Sequence, residues 1–224
     1  MGRSARDGAL RLLLQFGCLV LMSVSTMAAG SGPIKIVAFG DSLTAGYLLP
    51  SNAAFPAVLE RRLRNDGFAV EIANAGVSGD TSAGGLARLD WSVPDGTDLV
   101  IVELGANDML RGAPPADARK ALTEIIDRLK ARKIDVVVAG MLSIANWGEA
   151  YAKEFEAIYP DLAKSAGAPL YPFFLAGVSG DRTMTLPDGM HPNVAGVEKI
   201  VEGFVPFLGR VLTEKFGTRA KSGS

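Results

Sequence analysis

The sequence is poor in the residues that carry soft-metal and redox chemistry: its 224 residues include one cysteine, Cys18, and one histidine, His191. Cys18 falls inside an N-terminal apolar run, and removal of that segment leaves no cysteine at all. Disulfides, thiol nucleophiles and cysteine-ligated metal sites are then excluded together. An excess of either charge is also missing. Lys and Arg number 23 against 24 Asp and Glu, interleaved along the chain, for a formal net charge of −1. No basic stripe is present to track a nucleic-acid backbone. The N-terminal apolar run stops short of the roughly 20 residues that span a bilayer. There is no internal repeat and no long low-complexity stretch.

What the N-terminus does have is an order. Arg3, Arg6 and Arg11 precede the apolar run Leu12 to Val24, and the small residues Ser25, Thr26, Ala28 and Ala29 follow it. This is the outline of a secretory signal peptide, with cleavage expected near Ala28 or Ala29. A lipid anchor on Cys18 is a minor alternative, because Gln15 stands where a lipoprotein signal wants an aliphatic residue. Cleavage leaves 20 Lys/Arg against 23 Asp/Glu. The expected organisation is a signal peptide at 1–29, one globular domain at 30–217 and a disordered tail at 218–224. The expected location is the periplasm or the exterior of the cell.

Beyond the Gly-Ser-Gly-Pro junction, short β-branched runs alternate with longer amphipathic ones. That is the pattern of an α/β fold with a mainly parallel sheet. Strands are predicted at Ile34–Phe39, Phe68–Ala73, Asp98–Leu104, Asp135–Met141 and, more weakly, Pro169–Phe173. Helical periodicity covers Asn52–Asn65, Pro115–Arg132, Tyr151–Ala166 and Val194–Phe216, with a shorter helix at Ser82–Leu89. The order is a flavodoxin-like, three-layer α/β/α alternation with five strands. A dinucleotide-binding fold has a similar order but needs Gly-x-Gly-x-x-Gly after the first strand, and that motif is absent.

In such sheets the carboxyl ends of the strands form the binding edge. Three polar clusters meet there: Gly40-Asp41-Ser42 after the first strand, Asn74 to Asp80 after the second, and Gly105-Ala106-Asn107-Asp108 after the third. His191 is the only candidate for a base near neutral pH. It stands in Asp188-Gly189-Met190-His191-Pro192-Asn193, a turn able to fold the Asp188 carboxylate back onto the imidazole. The same residues also suit an ordinary surface turn that caps the last helix. Ser42 can sit exposed at a helix start, where developing negative charge is favoured. It can equally be a plain helix N-cap, and it is not in the Gly-x-Ser-x-Gly elbow. Gly79 and Asn107 can donate to an oxyanion, or can simply serve tight turns.

Taken together, Gly40-Asp41-Ser42-Leu43, Gly79, Gly105-Ala106-Asn107-Asp108 and Asp188-Gly189-Met190-His191-Pro192 closely resemble the four ordered blocks of the SGNH/GDSL hydrolases. Ser78-Gly79-Asp80-Thr81-Ser82, Gly85-Leu86-Ala87-Arg88-Leu89, Val102-Glu103-Leu104-Gly105 and Ala157-Ile158-Tyr159-Pro160 resemble its bacterial periplasmic branch of thioesterases, lysophospholipases and arylesterases. The resemblance implies a serine esterase with Ser42 as nucleophile, His191 as general base and then acid, and Asp188 as its orienting partner. It implies an oxyanion hole formed by the N–H groups of Ser42 and Gly79 and the Asn107 amide. Ala106 departs from the Gly common at that place in the branch. Asp41, Asp80 and Asp108 read as loop-organising acceptors, with metal binding as a weaker rival. Met109 and Leu110 after Asn107, and Met141, Leu142 and Ser143 after the fourth strand, are the expected substrate-binding residues.

The expected partner is a small-molecule ester, thioester or lipid, without metal or organic cofactor and without nucleic acid. Transient contact with a membrane surface stays open, and the sequence carries no sign of an oligomeric state. Two other functions fit parts of the pattern: a carbohydrate deacetylase on the same triad, and a periplasmic binding protein without turnover.

Overall fold

A computed structural model describes residues 32–221. The expected signal peptide at 1–29 and the last three residues lie outside the described residues. Five parallel strands form one sheet: β1 (Ile34–Gly40), β2 (Val70–Gly76), β3 (Leu99–Glu103), β4 (Asp135–Ala139) and β5 (Leu170–Tyr171), in the order β2-β1-β3-β4-β5. The helices are α1 (Ser42–Ala45), α2 (Phe55–Asn65), α3 (Ser82–Ser92), α4 (Ala106–Leu110), α5 (Pro115–Ala131), α6 (Glu149–Glu156), α7 (Ile158–Ala166) and α8 (Val194–Phe216). Helices α2 and α8 pack together, as do α3, α5 and α7, so the sheet lies between two helical layers. This is the expected three-layer α/β/α architecture.

The central strand explains the layering. All five residues of Leu99-Val100-Ile101-Val102-Glu103 are buried, which is the run expected of a parallel strand covered on both faces. Burying the four aliphatic side chains contributes about 1.5–3 kcal/mol apiece relative to exposure. The chain leaves β1 toward β2 on one side and returns to β3 on the other, so the strand order reverses beside β1. Crevices open at the carboxyl ends of strands where this reversal occurs. Register pairs Gly40 with both Gly76 and Glu103, so the three loops that follow start from one level.

Two expectations need correction. The single helix predicted at Tyr151–Ala166 is two helices that meet at Ala157. Pro160 is the cause: it has no N–H to give, and its ring would clash with the carbonyl four residues back, so it is tolerated only in a first turn. The tail expected to be disordered from residue 218 is ordered to residue 221, where Gly217–Lys221 forms a 3-10 turn with Ala220 fully buried. The Arg219 guanidinium donates twice to Asp98, at 2.7 Å each. Ala220 O accepts from Ala69 N at 3.0 Å, and the Lys221 ammonium sits 3.8 Å above the Phe68 ring. So short and mixed a segment gave no periodic signal; long-range partners supply the order.

Arg219→Ala is therefore expected to lower stability by about 1–3 kcal/mol, the range for a charge-assisted hydrogen-bonded group. Urea unfolding measures this, and an unchanged midpoint would show that the C-terminal turn is not a structural element.

Candidate active site

The turn that follows β1 is built by its own carboxylate. Asp41 caps α1, its Oδ1 accepting from Leu43 N at 3.0 Å. Ser42 is thereby spared the capping role and stands at the first helical position. Its Oγ lies 2.9 Å from His191 Nε2, across 149 residues of chain. On the other side of the ring, His191 Nδ1 lies 2.7 Å from Asp188 Oδ2. Asp188 Oδ1 accepts from Met190 N at 2.8 Å and His191 N at 3.0 Å. These backbone donors, Met190 first, together with the imidazole outweigh desolvation and hold the Asp188 carboxyl down at about 2. The turn thus does both things open from the sequence: Asp188 faces the imidazole, and Asn193 caps α8 through Gly196 N at 3.0 Å. The Tyr47 ring covers the imidazole, with centroids 4.5 Å apart.

Asn107 lies in α4 and reaches back to both earlier loops. Its Nδ2 donates to Asp80 O at 2.9 Å and Asp41 Oδ2 at 3.1 Å. The amide is thus held beside Ser42 by bonds that an incoming oxyanion has to share. Gly79 precedes Asp80 and does not line the cleft; its carbonyl accepts from Arg111 Nη2 at 2.8 Å. A side chain at 79 would meet open space, but the backbone sits at φ +84°, a region that L-residues rarely adopt. Glycine is needed there for conformation rather than for clearance. Ala106 is accommodated at the start of α4.

The three flanking aspartates each have partners. Asp41 takes the bonds just given. Asp80 Oδ2 accepts from Arg88 Nε at 2.6 Å. Asp108 accepts from Ser82 N at 2.8 Å and Ser82 Oγ at 2.7 Å. Among the described residues, no group of three His, Cys, Asp or Glu side chains is arranged to hold a metal ion.

A cleft of about 310 Å³ opens beside Ser42 and His191. The five expected substrate-binding residues Met109, Leu110, Met141, Leu142 and Ser143 all line it. So do Ile144, next to Ser143, and Phe173, Leu175, Ser179 and Met190, the last four missed by sequence reasoning. Its two walls touch: the Trp147 ring lies so close to Gly112 that a Cβ there would stand 2.7 Å away, and Tyr151 Oη donates to Ala113 O at 2.9 Å.

Glu103 was missed too. It ends β3 fully buried beneath the β1–α1 turn, where Thr44 Oγ1 donates to its Oε2 at 2.7 Å. Gly40 leaves the room, since a Cβ there would lie 2.6 Å from that oxygen. Oε1 has no hydrogen-bond partner. Burial first, and the nearby Asp41 second, push the Glu103 carboxyl well up. Burial likewise raises Asp41 to about 6. The available signal was a lone acidic residue closing an otherwise apolar strand.

Residues 38–199 match the GDSL-like Lipase/Acylhydrolase family. The chain belongs to that family. This GDSL-like hydrolase is 36% identical over 200 residues to Esterase TesA of Pseudomonas aeruginosa, spanning 89% of this chain and 98% of that one. It is 37% identical over 188 residues to Thioesterase 1/protease 1/lysophospholipase L1 of Escherichia coli strain K12, 84% and 87% of the two chains. Among solved structures, the SGNH-hydrolase family esterase AlinE4 is similar at 45% identity and a TM-score of 0.68, over 82% of this chain and 98% of that one. The hydrolase and its α/β sheet thus agree with the expectations from sequence.

The buried carboxyls give this GDSL-like hydrolase a testable pH response. A carboxyl whose native pKa is raised holds its proton in the fold after the unfolded chain has lost it. Stability is then full below about pH 4 and falls as pH rises toward the native value. Glu103→Gln removes that term, leaving Asp41, Asp80, Asp108, His191 and Tyr159 in place. The variant is expected to gain on the parent by up to about 1.4 kcal/mol per pH unit above pH 4.5. Thermal melts between pH 4.5 and 8 check it, and a pH-independent difference would count against a protonated Glu103.

Proposed function

We propose that this hydrolase is a serine esterase that works through Ser42, His191 and Asp188. One observation carries the reading: the continuous relay from Ser42 Oγ through the imidazole to Asp188, 2.9 and 2.7 Å long, opens onto an apolar cleft. Asp188 remains ionised through the neutral range, so it fixes the proton on Nδ1 and leaves Nε2 to accept one. The imidazole takes the Ser42 proton as the hydroxyl attacks the carbonyl. It then returns that proton to the leaving oxygen or sulfur, giving an acyl-enzyme. Water activated by the same nitrogen releases the acid. Negative charge on the tetrahedral oxygen is met by Ser42 N–H and the Asn107 amide, next to the start of α1; Gly79, the third expected donor, lies outside the residues that line the cleft.

The lining supports the substrate class. Met109, Leu110, Met141, Leu142 and Ser143, with Phe173 and Leu175, offer an acyl chain or aryl group far more than a sugar. Short-to-medium acyl esters, aryl esters, acyl thioesters and lysophospholipids fit, in line with the names of the relatives. The exposed Leu142, Ile144 and Met190 at the mouth suit transient contact with a lipid surface. The N-terminal pattern supports export to the periplasm or beyond. The apolar lining speaks against a carbohydrate deacetylase, and the intact relay against a binding protein without turnover.

Ser42→Ala is expected to abolish ester turnover and labelling by a fluorophosphonate probe. Asn107→Ala is expected to reduce kcat by about 100- to 1000-fold. A profile over p-nitrophenyl esters of rising chain length tests the substrate class. Wild-type turnover by Ser42→Ala would end the serine mechanism, and activity on acetylated glycans with none on hexanoyl or longer esters would favour the deacetylase.

A further inference from the structure

We propose that Arg88 is a positioning residue for the Asn107 oxyanion donor, its guanidinium fixing the Gly79–Asp80 loop to the end of β1 so that the Asn107 amide is held beside Ser42. This rests on the serine-esterase reading above. Arg88 lies in the middle of α3, and only 6% of it is exposed. A buried guanidinium is tolerated only when its donors are satisfied. Here Nε donates to Asp80 Oδ2 at 2.6 Å, Nη1 to Ala75 O at 2.8 Å and Ser92 Oγ at 3.1 Å, and Nη2 to Gly40 O at 2.8 Å. The Phe39 ring closes one face at 4.2 Å.

These partners belong to three chain segments that must agree in space. Gly40 stands two residues before Ser42. Ala75 is the next-to-last residue of β2, and Asp80 directly follows Gly79. The planar fork has fixed angles between its donors, so satisfying all of them sets the relative positions of these segments. Asp80 carries that constraint into the site, because its backbone carbonyl accepts from Asn107 Nδ2 at 2.9 Å. Its carboxylate is seated against α3, where the absence of a side chain on Gly84 leaves the space that Asp80 Oδ1 occupies. The opposite side of the loop is held by Arg111 through Gly79 O at 2.8 Å. The loop is thereby gripped from α3 below and α4 above. A misplacement of about 1 Å in a reacting geometry costs about 100-fold in rate. A Lys at 88 keeps the charge but, as a point donor on a flexible stem, cannot span Gly40 O, Ala75 O and Asp80 together.

The test is a double-mutant cycle on the full chain with p-nitrophenyl butyrate, at a temperature where circular dichroism shows every variant folded. Arg88→Lys is expected to lower kcat by about 10- to 100-fold with KM changed less than about 3-fold. In an Asn107→Ala background the same change is expected to cost less than about 3-fold, because the donor it positions is already gone. Equal factors in both backgrounds, or a lowered melting temperature with kcat intact, would overturn the assignment. If Arg88→Lys does not fold, Asp80→Asn takes its place in the cycle, judged by the same criterion. Ser42→Ala separates the two readings. Turnover without Ser42 defeats the serine mechanism, whereas an inactive Ser42→Ala beside an additive cycle defeats only the role of Arg88.

Discussion

The contact between His191 Nε2 and Ser42 Oγ joins residues 149 apart in sequence, and everything else in the site follows from having to keep it. Neither residue can hold the other by itself. Ser42 belongs to a four-residue helix, too short to be stable alone. His191 sits in an irregular turn whose position depends on α8. The sheet brings the two together because β1 ends at a reversal of strand order. The turn and the short helix are then fixed by side chains that satisfy their backbone groups, Asp41 for one and Asp188 with Asn193 for the other.

The same economy explains why the site is surrounded by buried ionisable groups. Asp41, Glu103, Asp108 and Arg88 are all nearly inaccessible, and each bonds to a loop that carries a site residue. In a medium of low polarity an unmet polar group is expensive, so each bond is held to a narrow geometry. Apolar packing is tolerant by comparison. The hydrolase uses apolar packing for the sheet and the cleft walls, and charged hydrogen bonds where atoms must stay within tenths of an ångström. Gly40 fits this pattern: it lacks a side chain because Thr44 Oγ1 and the Glu103 carboxyl occupy that space.

Much of this was legible in the sequence, for physical reasons. Strands and helices read well because their apolar periods are imposed by burial, and α8 spans Val194–Phe216 as predicted. Ser42, Asn107, Asp188 and His191 each had an ordinary cap or turn reading as well, and they were singled out because the ordered blocks that carry them resemble one family. The misses share a cause. Phe173, Leu175, Ser179 and Met190 reach the cleft from the long irregular stretch between β5 and α8, where no period tells which way a side chain points. Arg219 and Ala220 owe their order to Asp98 and Ala69, partners far away in the chain. Pro160 was in plain view, but two helices of one amphipathic character read as a single run.

Glu103 marks the sharper limit. Alone at the end of an apolar strand it resembles an edge residue facing water, and only the register with Gly40 turns it inward. Once inside, burial first and the nearby Asp41 second oppose its ionisation, since two adjacent buried charges are harder to sustain than one. Keeping Glu103 neutral leaves Asp41 as the carboxylate better able to carry the charge that α1 and the Asn107 amide both draw upon. Asp41 then serves by holding the Asn107 amide, whose Nδ2 lies 3.1 Å from its Oδ2, and on the proposed mechanism it is that amide, not the carboxylate, that meets the developing negative charge.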